Sequence, residues 1–464
     1  MKRPLLSFLQ PMLVALCLLG SAPVYSQLLT LDEAVALATE QDPWLQGNRH
    51  AQRSMEEMSV ASGALPDPKV SVAFANLPTD TWDFSQEPMT QFKVGVTQMF
   101  PRGEQLELKQ KQLQLRSAVM PFEREERQAQ IQLQVSRLWL ETWRSQATIG
   151  LIERNRYLFE QMFEISQSSY SSALGRTRQQ DVIRAQLELT RIEDRLTQLQ
   201  QQRDAGLATL SQWLGQVQET EPQPQRNPNA LLISRPNVVL PKQLPTVALH
   251  APQPAMDQHT DWQQLAPYLM QHPSVRMLDQ QIVATGADVD LAKQKYKPEW
   301  GLNASYGYRD DDPMGNERAD FFSIGVSFDL PIFTGNRQDR EVSSAVSKVE
   351  SIKTQKWLRL KSLLSEFETA RAQWTRLGQR HQLYQQTLLP QMHEQAEAAL
   401  TAYTNDNGDF AEVMRARIAE LNAEIDALAI AVQQQQTAAQ LNYFFTAANE
   451  KVAVESSEGD SVHE

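Results

Sequence analysis

Histidine, methionine and cysteine side chains are the groups in this sequence best suited to hold a metal ion or to take part in catalysis. The seven histidines are His50, His250, His259, His272, His381, His393 and His463. No two of them have the helical spacing beside an acid that a metal site on one helix needs. Asp257, His259 and Asp261 alternate and could ligate one ion, but a solvated polar loop explains them better.

Sulfur chemistry is equally sparse. Met55 and Met58 lie one helical turn apart, as two ligands of a soft metal would, although helix packing is the simpler interpretation. The single cysteine, Cys17, excludes an internal disulfide and a cysteine-rich metal site. It follows an apolar run, as a lipidated cysteine does, but the bulky Leu16 before it disfavours that modification. We therefore predict no catalytic residue, no metal site and no cofactor, and hence no enzyme.

The composition narrows the class of protein. The chain has 464 residues, of which 41% are apolar and 22% charged, with a formal net charge of -12. The apolar fraction is too high for wholesale disorder, and the acidic balance disfavours nucleic-acid binding, which needs clustered basic residues. A mean hydropathy of -0.47 disfavours a bundle of membrane helices. Only 18 glycines and 24 prolines leave room for long uninterrupted helices.

Residues 1–26 have the pattern of a secretory signal. Lys2 and Arg3 precede an apolar stretch over 12–20, and Val24 and Ser26 are small residues at the -3 and -1 positions of a cleavage site. Nine apolar residues are too few for a membrane anchor, which needs about 20. No later stretch reaches 18 apolar residues. We expect an exported protein without a helical anchor.

The chain contains one module twice. The breakers Pro43, Pro68, Gly95 and Pro101 recur with the same spacings of 25, 27 and 6 as Pro273, Pro298, Gly325 and Pro331. The neighbouring residues are also similar: Gln41 and Asp42 precede Pro43, and Gln271 and His272 precede Pro273. Internal repetition is informative because each copy must form the same unit. We predict a signal over 1–26, repeats over 27–218 and 261–450, a proline-rich linker over 219–260 and a disordered acidic tail over 451–464.

Each module is predicted to begin with a helical segment, over 31–63 and 262–297. Two strands follow, and then Gln-, Leu-, Arg- and Glu-rich stretches over 104–170 and 336–402 predict long helices. A continuous helix of 67 residues is about 100 Å long, and Pro121 and Pro390 could kink these helices or shift their boundaries. Returning helices are predicted from Gln179 to Leu214 and from Phe410 to about Asn449.

The strands alternate between large apolar residues and small or polar ones, which is the period of a sheet with two different faces. The residues assigned to the apolar face are Val70, Val72, Phe74, Phe92, Val94, Val96, Trp300, Leu302, Tyr306, Phe322, Ile324, Val326 and Phe328. In an exported chain this pattern is typical of the wall of an outer-membrane barrel. Polar connectors over 78–88 and 309–320 would be extracellular loops. Half-buried hairpins capping a soluble coiled coil are the alternative.

Four strands cannot close a barrel alone, because a usable interior needs about eight or more. An open sheet in lipid would leave unpaired backbone groups at several kcal/mol each. Other copies of the chain must then close the barrel, and a dimer, trimer or tetramer would supply 8, 12 or 16 strands.

The order helix, strand, strand, long helix, turn, helix, used twice behind a signal, resembles the TolC family of outer-membrane efflux proteins. The resemblance covers 31–34, the words at Pro43, residues 94–103 and 408–428, and so extends over nearly the whole exported chain. It implies an α+β membrane protein with two long helical hairpins and four strands per chain. As a homotrimer this would form a 12-stranded outer-membrane β-barrel and an α-helical barrel in the periplasm of a Gram-negative cell. The word Met-Phe-Pro-Arg-Gly at 99–103 is similar to that of heavy-metal efflux members, which makes that branch one alternative.

The resemblance also implies a function and partners. The chain would be the passive exit duct of a tripartite efflux system or a type I secretion system. It would work with a periplasmic adaptor, or membrane fusion protein, and an inner-membrane pump of the RND or ABC class, and it would contact outer-membrane lipid. The alternative is a soluble periplasmic coiled-coil adaptor or scaffold, which should instead show one hairpin and lipoyl-like domains. Nucleic acid is not an expected partner.

The inner end of such a duct would carry the sites. By resemblance, a periplasmic gate of acidic residues falls on Glu412, with Asp409 and Asp406 as further candidates, while the next family position is Arg415. The adaptor would contact the hairpin tips over 171–178 and 404–410. The tip residues implied are Gly175, Arg176, Asn407 and Gly408. Both glycines are expected to adopt left-handed turn conformations.

Overall fold

The computed structural model describes residues 27–171, 178–215, 217–218, 232–233, 238–257, 262–405 and 407–446. The predicted signal and acidic tail, and much of the predicted linker, therefore lie outside the described residues. Within the described ranges, no helix has an apolar stretch of the length that a bilayer crossing requires.

The element order repeats once along the chain. The first repeat comprises β1 (Gln27–Leu28), α1 (Leu31–Glu40), α2 (Pro43–Gly63), β2 (Lys69–Ala75), β3 (Gln91–Phe100), α3 (Gln105–Ser117), α4 (Met120–Ser171) and α5 (Gln179–Leu214). The connection contains β4 (Val217–Gln218), β5 (Leu232–Ile233), β6 (Val238–Val239) and α6 (Gln253–Met256). The second repeat comprises α7 (Trp262–Met270), α8 (Pro273–Lys293), β7 (Trp300–Tyr308), β8 (Phe321–Phe328), α9 (Gln338–Leu383), α10 (Leu389–Thr404) and α11 (Phe410–Tyr443). A 3-10 turn, Gln294–Tyr296, follows α8, and a π-helical turn, Tyr384–Leu388, joins α9 to α10.

Each opening helical segment is divided in two, which corrects the prediction of one helix over 31–63 and one over 262–297. The divisions fall at Asp42 and His272, whose side chains each accept a hydrogen bond from the backbone N–H two residues later. A proline follows each cap as the first residue of the next helix, where its missing N–H is no loss. Both α2 and α8 then run for 21 residues, so the matching words mark matching helix starts.

The long helices also differ in continuity. The helix predicted over 104–170 is interrupted at residues 118–119, between α3 and α4. Its counterpart runs from 338 to 404 without a loop, a length of about 100 Å at 1.5 Å per residue. Pro121 and Pro390 are each the second residue of a helix, so both prolines do shift helix boundaries, as foreseen. The last helix, α11, ends at Tyr443 rather than near Asn449.

The four predicted strands form one antiparallel sheet in the order β2-β3-β7-β8. The central pair, β3 with β7, joins the two repeats over nine residue pairs from Phe92 with Tyr308 to Phe100 with Trp300. Among the described residues, β2 and β8 are therefore the two edges of the sheet, and each pairs with a described strand on one side only.

Three apolar clusters hold the helical layer together. One packs α1 and α5 around Trp139 of α4, a second packs α7, α8 and the end of α11 around Phe367 of α9, and a third joins α4, α5 and α11 around Phe159. Helix α11 contributes to two of them, with Leu421 and Ile425 buried in the third cluster and Val432 in the first. The chain is thus an elongated helical layer with a small sheet.

The second half of the connection lies extended against the helices, and we call residues 238–257 the belt. Its strand β6 pairs in parallel with β1. Leu240 is buried in the cluster around Trp139. Further along, the N–H of Val247 donates to Gln435 at 2.7 Å and the N–H of His250 to Asn442 Oδ1 at 2.7 Å. The belt therefore covers one face of α4 and α11.

Candidate functional site: the open sheet and the hairpin tips

The sheet has one apolar face that the chain leaves uncovered. Two complete rows across all four strands are Val72, Val94, Tyr306 and Phe322, and Val70, Val96, Ala304 and Ile324. All thirteen residues assigned to this face from the sequence lie on it, and twelve are exposed, Phe322 by 71% and Ile324 by 70%. Phe92 is half-buried, with its ring 5.1 Å from that of Phe74. So much exposed apolar surface indicates contact with lipid or a partner.

The opposite face is small and polar. One row consists of Ser71, Gly95, Ser305 and Ser323, and the next of Lys69, Thr97, Asn303 and Gly325. Such side chains suit water better than hydrocarbon. The two faces therefore suit different surroundings, the apolar face hydrocarbon and the polar face water.

The two connectors predicted as extracellular loops lie together at one end of the sheet. Arg309 donates from a guanidinium nitrogen to the carbonyl of Pro88 at 3.0 Å, and Arg318 donates to the carbonyl of Ser85 at 3.1 Å. Arg309 also lies over the ring of Phe321, 3.9 Å from its centroid. These arginines fasten the first loop to the second.

The word at 99–103 has a structural role at the other end of the sheet. Arg102 forms an ion pair with Asp329, just after β8, and donates to the carbonyl of Lys297 at 3.1 Å. Gly103 has a φ of +49°, and a Cβ there would lie 2.3 Å from a side-chain carbon of Lys297. Only glycine fits this turn from β3 into α3 without strain.

The tip of the second hairpin is built by a cap and a close backbone approach. Asp409 is the N-cap of α11, and its carboxylate accepts from the N–H of Ala411 at 3.2 Å. Asn407 donates its N–H to the carbonyl of Ala402 at 2.9 Å. Glu412 is exposed in the first turn of α11, where the helix dipole favours negative charge.

Gly408 does not have the left-handed conformation predicted for it, since its φ is not positive. A Cβ at Gly408 would instead lie 2.6 Å from the backbone nitrogen of Tyr403. The glycine is needed because the returning chain passes close to the end of α10. Three predicted residues, Gly175, Arg176 and Asp406, lie outside the described residues.

A cluster of ion pairs links α10 to α11 behind this tip. Arg417 donates to Glu420 at 2.8 Å and to Glu397 at 2.5 Å, and Glu420 also contacts the Nδ1 of His393 at 2.7 Å. The hydrogen bond and charge of Glu420 raise the pKa of His393 above its ordinary value. Protonation of His393 therefore strengthens the link between the two helices.

Sequence reasoning missed a buried polar junction where the two repeats meet. Tyr443 donates its hydroxyl to Glu126 Oε1 at 2.7 Å and accepts from Arg359 at 2.7 Å. The ring of His272 contacts Ser274 Oγ at 2.8 Å through Nδ1 and the carbonyl of Tyr443 at 3.1 Å through Nε2. The signal available in the sequence was the word containing His272, but nothing in it identified the partners.

Burial dominates the electrostatics of this junction. Desolvation lowers the pKa of His272 to about 3, and the nearby charge of Arg359 acts in the same direction. Desolvation also raises the pKa of Glu126, against the hydrogen bonds from Tyr443 and Gln130. The imidazole is thus neutral at physiological pH. The equivalent cap of the first repeat, Asp42, is paired instead with Arg127 at 2.8 Å.

The arrangement offers no metal chemistry within the described ranges. No group of three histidine, cysteine, aspartate or glutamate side chains there is placed to hold a metal ion. Met58 is 56% exposed, so packing within this chain does not explain it as predicted. Residues 258–261 of the polar Asp-Gln-His-Thr-Asp segment lie outside the described residues.

Part of the chain matches a known family. Residues 267–444 match the family model described as outer membrane efflux protein. Over this segment the chain is similar to the outer membrane efflux protein family. No curated protein matches the sequence significantly.

Solved structures share the fold of this chain over almost its whole length. The outer membrane protein VceC of Vibrio cholerae has 14% identity and a TM-score of 0.69, covering 90% of this chain and 96% of that chain. The CmeC outer membrane channel of Campylobacter jejuni has 12% identity and a TM-score of 0.68, covering 90% and 85%. The open state of the MtrE outer membrane channel of Neisseria gonorrhoeae has 13% identity and a TM-score of 0.66, covering 90% and 88%.

These findings confirm the predicted fold class and agree with the predicted family resemblance. The chain has the fold of solved outer-membrane channels, and residues 267–444 are similar to the outer membrane efflux protein family. Neither the fold nor the family match supports the soluble adaptor alternative. The roles of individual gate and tip residues remain predictions.

Proposed function

We propose that the protein is a homotrimeric exit duct that conducts solutes passively from an inner-membrane pump across the periplasm and outer membrane. The observation that carries this proposal is the four-stranded sheet, which has an uncovered apolar face and two unpartnered edges. Each repeat contributes one strand pair and one helical hairpin to the duct.

The open edges supply the physical argument for assembly. The strand β2 has seven residues and β8 has eight, and each strand pairs on one side only. In hydrocarbon, every backbone group left unpaired costs several kcal/mol, so two open edges cost about tens of kcal/mol. Pairing β8 of one copy with β2 of the next removes this cost. Because the sheet has an even number of antiparallel strands, that new pair is antiparallel too.

The number of copies follows from closure and from the family resemblance. Three copies give 12 strands, enough for an open interior. The polar rows through Ser71 and Asn303 would then line the interior, and the rows through Ile324 and Phe322 would face lipid.

The tip would meet the periplasmic partners. Glu412 projects from the first turn of α11 beside the capped turn at Gly408, and threefold symmetry would convert it into a ring of three carboxylates. We assign the gate to this ring. Asp409 is not included, because its carboxylate caps α11. The exposed turn at Asn407 is the surface offered to an adaptor, which would connect the duct to a pump of the RND or ABC class.

Two measurements on the purified protein test the proposal. Light scattering in detergent should give the protein mass of three chains, and planar bilayers should show single-channel conductance. A monodisperse monomer that stays in solution without detergent and does not conduct would refute the duct.

A further inference from the structure

Three arginines converge on one polar groove of the helical layer. Arg137 of α4 and Arg376 and Arg380 of α9 line a groove of about 530 Å³, together with four glutamines, a threonine and a leucine from α9 and α11. Arg376 and Arg380 are four residues apart and so share a helix face. No carboxylate belongs to the lining.

Their charges are not neutralised within the part of the chain that the structure describes. Arg376 donates to the amide oxygen of Gln379 at 2.9 Å, and Arg380 lies 6.0 Å from the ring centroid of Tyr384. None of the three arginines forms an ion pair with a described residue, whereas Arg127, Arg359 and Arg417 all do. Desolvation lowers the pKa of Arg137 with no opposing carboxylate, although arginine stays charged at physiological pH.

The groove opens on the face away from the belt. On α4, Trp143 and Gln146 donate to the belt carbonyls of Pro241 and Leu240 at 2.8 and 3.4 Å. At 100° per residue, Arg137 lies about 120° and 180° round the helix from these two residues. On α9, Arg371 donates to the carbonyl of Asp257 in the belt at 2.7 Å. Arg376 and Arg380 lie about 140° and 180° round the helix from Arg371. A duct needs an uncovered inner surface, so the covered face is the outer one.

We propose that this arginine groove faces the conduit and binds anionic solutes through their carboxylate, phosphate or sulfate groups. Guanidinium groups bind such oxyanions with paired hydrogen bonds, and the glutamine amides supply further donors. The assignment rests on the duct function proposed above and adds a substrate class to it. In a trimer, nine guanidinium groups would form one anion-concentrating zone in the helical barrel.

Inorganic phosphate and a KCl gradient test the groove with the full chain in detergent and in bilayers. Calorimetry should show phosphate binding to the wild type that the triple variant Arg137→Gln, Arg376→Gln, Arg380→Gln loses. The same variant should lower the chloride-to-potassium permeability ratio by about tenfold, because clustered charge raises the local counter-ion concentration. The single variant Arg380→Gln gives an intermediate effect and guards against misfolding of the triple variant.

Lys361→Gln is the matched control, since it removes one exposed charge from α9 outside the groove. It should leave phosphate binding and permeability unchanged. Phosphate binding that survives in the triple variant overturns the assignment, as does a permeability ratio that does not move. An absence of phosphate binding to the wild type also overturns it, for example if carboxylates of a neighbouring copy fill the groove. Failure of the proposed duct is distinguishable, because every variant and the wild type would then lack conductance.

Discussion

Ile324 lies in the middle of β8 on the apolar face, and its replacement by lysine tests which medium that face contacts. The side chain is 70% exposed within the chain, so it loses few contacts of its own when changed. Its cross-strand neighbour is Ala304, in the row that continues to Val96 and Val70. The effect of Ile324→Lys therefore reports mainly on what surrounds the sheet.

The expected magnitude separates lipid from water. A lysine facing hydrocarbon near the middle of the bilayer costs about 2–4 kcal/mol, or about 6–12 kcal/mol for three copies. If the face were in water, an exposed substitution would cost about 0.5 kcal/mol or less, with about 1 kcal/mol at most from lost strand propensity.

Ser323→Lys is the control, because Ser323 is the preceding residue of β8, is also exposed and points to the polar face. Both variants place the same residue in the same strand. Urea titration of protein refolded into phospholipid vesicles, followed by tryptophan fluorescence, measures the free energy of folding. Ile324→Lys should lose about 2–4 kcal/mol per chain, and Ser323→Lys should lose less than about 1 kcal/mol.

Equal losses for the two variants would refute the reasoning, because the sheet would then have no lipid side. A loss larger for Ser323→Lys than for Ile324→Lys would show that the two faces had been assigned the wrong way round.

Three further predictions concern the tip and the buried junction. Gly408→Ala should impair export in cells but not trimer insertion, since its Cβ would strike backbone at 2.6 Å, while Gly335→Ala, in open space, should change neither. The pKa of His272 is about 3 in the folded protein and 6.5 in the unfolded chain. The free energy of unfolding should therefore fall as the pH drops below 6.5, by about 1.4 kcal/mol per pH unit. In denaturant titrations, His272→Asn should reduce this loss of stability. The raised pKa of His393 means that its bond to Glu420 stabilises the hairpin below pH 6.5 and is lost as pH rises through the raised value. The protection factors of the tip amides, which are corrected for the base-catalysed intrinsic exchange at each pH, should then fall between about pH 6 and pH 9 in the wild type and not in His393→Gln.

Each of these has a clear contrary result. Normal export by Gly408→Ala would show that the turn tolerates a Cβ. If His272→Asn loses as much stability at low pH as the wild type, groups other than His272 cause the acid sensitivity. Protection factors of the tip amides that do not change with pH in the wild type would show that His393 does not stabilise the hairpin.

The faces of the elements could be predicted from the sequence, because side-chain direction within a strand or helix repeats with a fixed local period. The alternation around Ile324 and Tyr306 assigned both faces of the sheet before the strand register was known. The equal spacing of Pro43 and Pro273 from their neighbours gave the repeat and its helix starts. Breaks in continuity were harder, since Pro121 and Pro390 both marked possible boundaries but only Pro121 lies beside a loop, at residues 118–119.

The candidate site was only partly predictable. The positions of Gly408 and Asp409 at a turn followed from the sequence, but the reason for the glycine did not. A left-handed φ and a close backbone approach both demand glycine, and only the path of the returning chain past Tyr403 distinguishes them. The arginine groove could not be predicted from the sequence, because Arg137 and Arg380 are far apart in the chain and belong to different helices.

The sequence by itself determined the duplicated module, the helices and strands of each copy and the apolar face of the sheet, since these depend on local periodicity and on residues that end helices. Tertiary structure alone decided which distant groups meet. Tyr443 bonds to Glu126 across 317 positions of the chain, and Arg137 joins two arginines of α9, because helix packing sets these contacts and no local pattern records them. Tertiary structure also decided that β2 and β8 are the edges of the sheet in the described part of the chain, and in the proposed assembly other copies would cover them.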